Sequence, residues 1–318
     1  MIPMGISRLL PVPLPLRRSR PGDGFIIVAA LWILMMLATL ASIYSIYLAN
    51  SALAVSANDA GIETESLVSA GVELAAYQLS AAPKDTRPTH GEFRIRLGRA
   101  NVAVKYSSEA ARIDLNAGPK SLLSGLFAAL GARNQDADRY ADRVVGWRTE
   151  QKPESQNDED QLYRAAGLPY SPRGAPFAHV SELWLVQGLP PALVQRALRF
   201  VTVYSGRSTV NVRDAAPEVI AALPDMTPER LDGILNRRDA PSGVAQSAAD
   251  VLGTDEAGAT TAGSDAFRIE VRIAFDNGLR TVSEAVILVR GDDVPFHVLT
   301  WRDDIDPAPA SQFTAGAR

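Results

Sequence analysis

The sequence predicts an α+β fold: a long N-terminal membrane-spanning helix, then an antiparallel sheet interrupted by a large inserted helical domain. Three observations lead there. Phe25 to Ala82 contains no proline and only two glycines, Gly61 and Gly71. Short alternating apolar runs occur near residues 93–106 and return near 267–301. Between them, from about Ile113 to Asp239, lies a helical insertion that carries a weak internal repeat.

Bulk composition sets the limits. The chain has 318 residues, 47% hydrophobic and 21% charged, with a net charge of −4. That is enough for one large domain or two small ones with a real core. It has no cysteine, which excludes a disulfide scaffold, a thiolate metal site and a cysteine nucleophile. The slight acidity argues against a strongly basic nucleic-acid binder. The charge is uneven, however. Arg8, Arg17, Arg18 and Arg20 against Asp23 put +3 into residues 1–24, so the net −4 leaves −7 on the rest.

The first element follows from that asymmetry. No charged side chain occurs from Phe25 to Asn58. The 24 residues Phe25–Leu48 would rise roughly 36 Å as a helix, enough to cross a ~30 Å hydrocarbon core. Arginines before and carboxylates after (Asp59, Glu63, Glu65) orient residues 1–24 to the cytoplasm. Tyr44 and Tyr47 fall near the outer interface. Breakers stand just outside, at Pro21, Gly22, Gly24 and Pro83. Beyond the apolar run, Val68, Val72, Ala75 and Leu79 form a stripe for a partner surface. One helix over the whole stretch would measure about 87 Å.

Three fates of the N-terminus compete. A plain signal anchor is one. A secretory signal cut at Ala52-Leu53-Ala54 is the second, but its apolar run exceeds the ~7–15 residues usual there. Cleavage after Gly24, leaving Phe25 as the new terminus, is the third. Helix continuity favours it, because a plain anchor needs no spine beyond the membrane.

The sheet comes in two halves. Phe93-Ile95-Leu97 and Val102-Val104-Tyr106 flank Gly98–Asn101 as a hairpin. Phe267 to Phe275 and Val282 to Val289 flank Asp276-Asn277-Gly278, a strong hairpin signal. Phe296 to Trp301 supplies a last strand.

The insertion carries a weak repeat. Asp114 to Leu123 aligns without gaps to Asn211 to Ile220, each copy reading as extended piece, turn and helix beginning near a proline. Further helices are expected at Ala137–Trp147, Val180–Gln187 and Pro191–Val201, and a flexible loop at Ser242–Ser264. The repeat is similar to helix-hairpin-helix (SAM-like) modules, which makes a membrane-anchored DNA-binding protein the rival reading. Such modules hold phosphates on a glycine-containing hairpin. Here Leu223-Pro-Asp-Met-Thr-Pro228 lacks those glycines and offers Asp225, so no nucleic-acid partner is expected.

Catalytic patterns are missing. His90, His179 and His297 are far apart, and neither a Gly-x-Ser-x-Gly elbow nor a phosphate loop occurs. No enzyme activity is expected. The one candidate metal segment is Glu154-Ser-Gln-Asn-Asp158-Glu159-Asp160, with four carboxylates and Asn157 within seven residues. Hard oxygens at that density suit calcium, although the spacing is not that of an EF-hand. The bland alternative is a solvated acidic loop.

A basic leader, Gly24 at the cut, Phe25 after it and an unbroken apolar helix resemble a type IV prepilin. The usual Glu at the fifth mature position is replaced by Ala29. That Glu pairs with the terminal amine of the subunit above, so its loss points to a filament tip. The order ARIDLNAGPKSLL, Val145-Gly-Trp-Arg148, Leu162-Tyr163, Ala165–Tyr170, Ala175-Pro-Phe177, Ser181-Glu-Leu183 and VNVRDAAPEVIAALP is similar to the minor pseudopilin K family of type II secretion. The resemblance implies removal of leader 1–24 by a prepilin peptidase and N-methylation of Phe25. It further implies an assembly helix at 25–82, a pilin-like sheet at 83–112 and 267–301, and an inserted domain of two related halves at 113–239. A flexible loop at 240–266 and a disordered tail at 302–318 complete that division. Also implied are the pseudopilus and minor pseudopilins of types I and J as partners, an inner-membrane location with the C-terminal domain in the periplasm, and calcium at Glu154, Asp158, Glu159 and Asp160.

Overall fold

The computed structural model describes residues 23–150, 158–239, 257–290 and 294–303. The leader up to residue 22, most of the acidic segment, much of the expected 240–266 loop and the tail from 304 lie outside them. Two compact units are present, Met1–Glu63 and Thr64–Arg318. Helix α1, Asp23–Ala81, contributes to both.

In the first unit, Phe25–Ser51 is long and apolar enough to cross a membrane, about 40 Å of helix. Its large side chains are exposed: Phe25, Trp32, Met36 and Tyr47 all show more than 60% of their surface. Two of its hydroxyls are satisfied inside the helix. Thr39 Oγ1 donates to Met35 O and Ser42 Oγ to Ala38 O, which removes the cost of carrying them into lipid.

The second unit holds the sheet and the insertion. Strands β1 (His90–Leu97) and β2 (Ala100–Ser108) form the first hairpin. The insertion runs through β3 (Ile113–Asp114), α2 (Lys120–Ala129), α3 (Asn134–Arg148), α4 (Asp158–Ala165) and α5 (Pro191–Ala197). It continues through β4 (Val201–Thr202), β5 (Val210–Asn211), α6 (Pro217–Ala221), α7 (Pro228–Asp239) and β6 (Ala259–Thr260). Strands β7 (Ala266–Phe275), β8 (Arg280–Leu288) and β9 (His297–Arg302) complete an antiparallel sheet in the order β1-β2-β7-β8-β9.

The stripe on α1 covers this sheet. Val68, Val72, Ala75 and Leu79 are buried in one cluster with Val102, Val104, Ile269, Val271 and Ile287. Gly71 sits at the closest approach, where an added Cβ would stand 3.1 Å from both Val104 and Val271. A separate core fills the insertion around Leu123, Phe127, Val144, Tyr163, Leu183 and Ile220. The two ends of the insertion are joined: Ser264 N donates to Ser108 Oγ at 2.8 Å, and both serines are buried.

Several expectations are corrected. Val180–Leu185 is a 3-10 helix, not the expected α-helix to Gln187. Val180, Leu183 and Val186 recur every third residue, the 3-10 period, and His179 caps the turn through Nδ1, which accepts from Ser181 N. Helix α5 stops at Ala197, and Val201, expected to end that helix, lies in β4 beside Ile113. The expected loop to residue 266 is structured at its end, because Ala259 and Thr260 pair with Val210 and Asn211. The insertion is thus not wholly helical. Each repeat unit is closed by a short parallel pair.

Candidate functional site

The repeat places its two halves alike. Ile113 N donates to Phe200 O and Leu115 N to Thr202 O; Val210 N donates to Gly258 O and Val212 N to Thr260 O. Asp114 Oδ1 then accepts from Asn116 N at 2.7 Å, and Asn211 Oδ1 from Arg213 N at 3.0 Å. These side chains close the turns that lead into α2 and α6.

The sequence pieces quoted above converge on the first of these turns. Arg148 donates to Leu115 O and Gly118 O. Asn116 exchanges two hydrogen bonds with the backbone of Phe177. Glu182 accepts from Trp147 Nε1, Arg173 Nη1 and Ala178 N. These contacts join the quoted pieces into one packing arrangement.

A buried ionic joint connects insertion and sheet. Glu109, fully buried, takes Arg268 Nε at 2.7 Å and Arg112 Nη1 at 3.2 Å, and Thr202 Oγ1 also donates to it. Arg268 reaches on to Glu284 at 2.6 Å, which also holds Arg302. Burial by itself would raise the Glu109 carboxyl, but Arg268 and Arg112 outweigh it and hold it below the usual carboxylate range. Sequence reasoning missed this joint.

The expected calcium residues are split. Glu154 and the Asp158 side chain lie outside the described residues. Asp158, Glu159 and Asp160 open α4 rather than a loop. Glu159 is buried, with Oε2 2.8 Å from Arg143 Nη1. The pair is close but poorly aligned, for Glu159 Oε1 and Arg143 Nε are buried without a hydrogen-bond partner. Burial pushes the Glu159 carboxyl up, against the pull of Arg143. Asp160 is held by Arg164 and by Ser171 Oγ at 2.5 Å. Its carboxyl is lowered by Ser171 first and Arg164 second. Glu159 Oε1 is a hard oxygen without a hydrogen-bond partner but is buried, and Arg143 beside it opposes a cation, so this pair fits calcium only in part. Among the described residues no group of three or more His, Asp or Glu side chains is placed to hold a metal ion.

The remaining candidates are placed as follows. Gly24 and Phe25 lie in the first turn of α1, with Phe25 78% exposed. His90 stands 2.6 Å from Asp214, His179 caps the 3-10 turn, and His297 opens β9. At the hairpin between α6 and α7, Asp225 adopts φ +50°, the left-handed conformation that a phosphate-binding hairpin reserves for glycine. Its carbonyl accepts from Arg230 Nη1, and its side chain is exposed. An anion would meet that carboxylate, and nothing in this geometry favours DNA binding.

Comparison with known proteins adds three findings. A family model described as type II secretion system (T2SS), protein K, matches residues 100–206. The type II secretion system protein K of Pseudomonas aeruginosa is 26% identical over 150 residues, 46% of this chain and 45% of that protein. The chain thus spans about half the length of that curated relative. A chain of the GspK-GspI-GspJ complex from enterotoxigenic Escherichia coli superposes with a TM-score of 0.60 at 19% identity, over 78% of this chain and 99% of that one. At that identity the likeness is one of fold. Residues 100–206 match the protein K family model of type II secretion systems, and the fold around them resembles that of the matched complex chain.

Proposed function

We propose that this chain is a minor pseudopilin at the tip of a type II secretion pseudopilus, acting mechanically and not as an enzyme. The observation that carries this reading is the division of α1 into an uncharged exposed run, Phe25–Ser51, and a stripe from Leu67 to Leu79 buried on the sheet. The exposed run is available to lipid before assembly and to the equivalent helices of other subunits afterwards. The insertion then makes each subunit too bulky to repeat along a thin filament, and Ala29 leaves no carboxylate for an amine above. Both features suit a cap.

In this reading a prepilin peptidase cuts after Gly24, Phe25 is N-methylated, and the domain after the membrane run faces the periplasm from the inner membrane. Minor pseudopilins of types I and J are the partners, as the composition of the matched complex supports. Calcium at residues 154–160 remains part of the proposal on carboxylate density. Its ligation would draw Glu159 from Arg143 and Asp160 from Arg164.

N-terminal mass spectrometry of the membrane-extracted protein tests the reading. An N-methylated Phe25 terminus is expected. An intact leader would return the chain to a plain anchor, and a Val55 terminus would mean secretory cleavage.

A further inference from the structure

The second unit contains an open cleft of about 760 Å³ between the β1–β2 hairpin and the second repeat unit. It is lined by Lys105, Arg112, Arg199, Arg213 and Arg238, with Asp214 as its only carboxylate among the described residues. That segregation is unusual in a chain whose net charge is −4. Asp214 cannot neutralise it. Its side chain is 3% exposed, with Oδ2 taken by Asn211 Nδ2 and Oδ1 beside His90. Arg112 is held by Glu109, and Arg238 donates to Ala215 O. The side chains of Lys105, Arg199 and Arg213 have no carboxylate partner among the described residues.

A neighbouring cleft of about 660 Å³ shares His90 and Arg213 with the first. It adds Lys84, Arg87 and Arg207 together with Asp85 and Asp265, and Asp265 already lies 2.8 Å from Lys84 and 3.7 Å from Arg87.

We propose that the first of these clefts binds an acidic segment of a partner protein. Guanidinium groups match carboxylates with paired hydrogen bonds, and three unpaired cations around one opening can engage successive acidic side chains. Ala111, Phe200 and Pro217 line the same opening, so apolar side chains between the acidic ones are accommodated too. That mixture suits a peptide better than a nucleic acid, whose uniformly charged backbone calls for a continuous basic track on a basic protein. The binding holds whatever the chain's place in a filament.

The test is fluorescence anisotropy on the full chain in detergent micelles, with empty micelles as the blank. The probes are a labelled peptide of alternating Glu and Leu, its Lys–Leu counterpart, and a single-stranded oligonucleotide of equal charge. Saturable binding of the Glu–Leu peptide is expected, weakening about tenfold in the Arg199→Glu, Arg213→Glu double variant while the melting temperature holds. Arg213→Lys should retain much of the binding, and added salt should weaken it. Absence of binding, unchanged binding in the double variant, or tighter binding of the oligonucleotide would each overturn the proposal.

Discussion

Asp114 and Asn211 hold equivalent positions in the two halves of the insertion and do different work there. Asp114 Oδ1 accepts from Asn116 N and Ala117 N, and its Oδ2 accepts from Ser205 Oγ and Gly206 N. It thereby ties its own turn to the segment after β4. Asn211 closes only its local turn through Oδ1 and spends its amide on Asp214. The first half of the repeat is therefore bound across the core, the second mainly within itself.

Substitution at the two sites should separate these roles. Asp114→Ala strands four donors at a side chain that is 1% exposed, and a loss of about 3–4 kcal/mol is expected. Asn211→Ala removes the acceptor for Arg213 N and the donor to Asp214, both local, and should cost about 1–2 kcal/mol. Urea unfolding of both variants followed by circular dichroism checks the difference. Equal losses would mean that the cross-core bonds contribute nothing beyond the turn.

The joint at Glu109 predicts an acid limit on stability. A carboxyl held below its unfolded value contributes stability that is present above that value and lost as pH falls through the folded one. With an ordinary value near 4.5, unfolding free energy should begin to fall below about that pH. Glu109→Gln should remove this dependence and cost about 3–5 kcal/mol at neutral pH, because Arg268 is left buried without its counter-charge. Denaturant midpoints measured from about pH 3 to pH 7 for both proteins give the comparison. A variant with the same acid slope as the parent would show that the slope arises elsewhere.

The elements legible in the sequence were those with a period. Val68, Val72, Ala75 and Leu79 announced the buried face of α1, and the two hairpins announced themselves by alternation around turn residues. Short or distant arrangements were not legible. The parallel pairs are two residues long, too short for any period, and β6 is written in Ala and Thr that read equally well as loop. Glu109 carries no signal in the sequence, because its partner Arg268 lies 159 positions away. Glu159 was read with its acidic neighbours, yet its partner Arg143 stands on the preceding helix, so sequence proximity misplaced it.

Close packing at Gly71 makes a graded prediction. Alanine there gains about 1 kcal/mol of helix propensity but brings a Cβ to 3.1 Å from two valines, so Gly71→Ala should change stability by less than about 1 kcal/mol. Gly71→Leu cannot be accommodated without moving α1 off the sheet, and about 2–3 kcal/mol should be lost. Gly61, which has no neighbour within 4 Å, is the control: Gly61→Ala should be neutral or stabilising. Thermal melts of the four proteins decide it. A well-tolerated leucine would mean that α1 is not seated on the sheet at this point.

Calcium gives the last prediction, and here the arginines set its form. A dication arriving at residues 154–160 competes with Arg143 for Glu159 and with Arg164 for Asp160. Removing a competitor should therefore tighten binding, the reverse of what loss of a supporting residue does. Calcium should raise the melting temperature of the full chain and a chelator should reverse the gain. Asp158→Ala with Asp160→Ala should abolish it. Arg164→Ala should instead lower the calcium concentration needed, since Asp160 is exposed enough to turn toward the ion once released. Isothermal titration of the parent and these variants distinguishes the cases. No thermal shift with calcium in the parent would remove the site, and a shift that survives the double alanine variant would move it to other ligands.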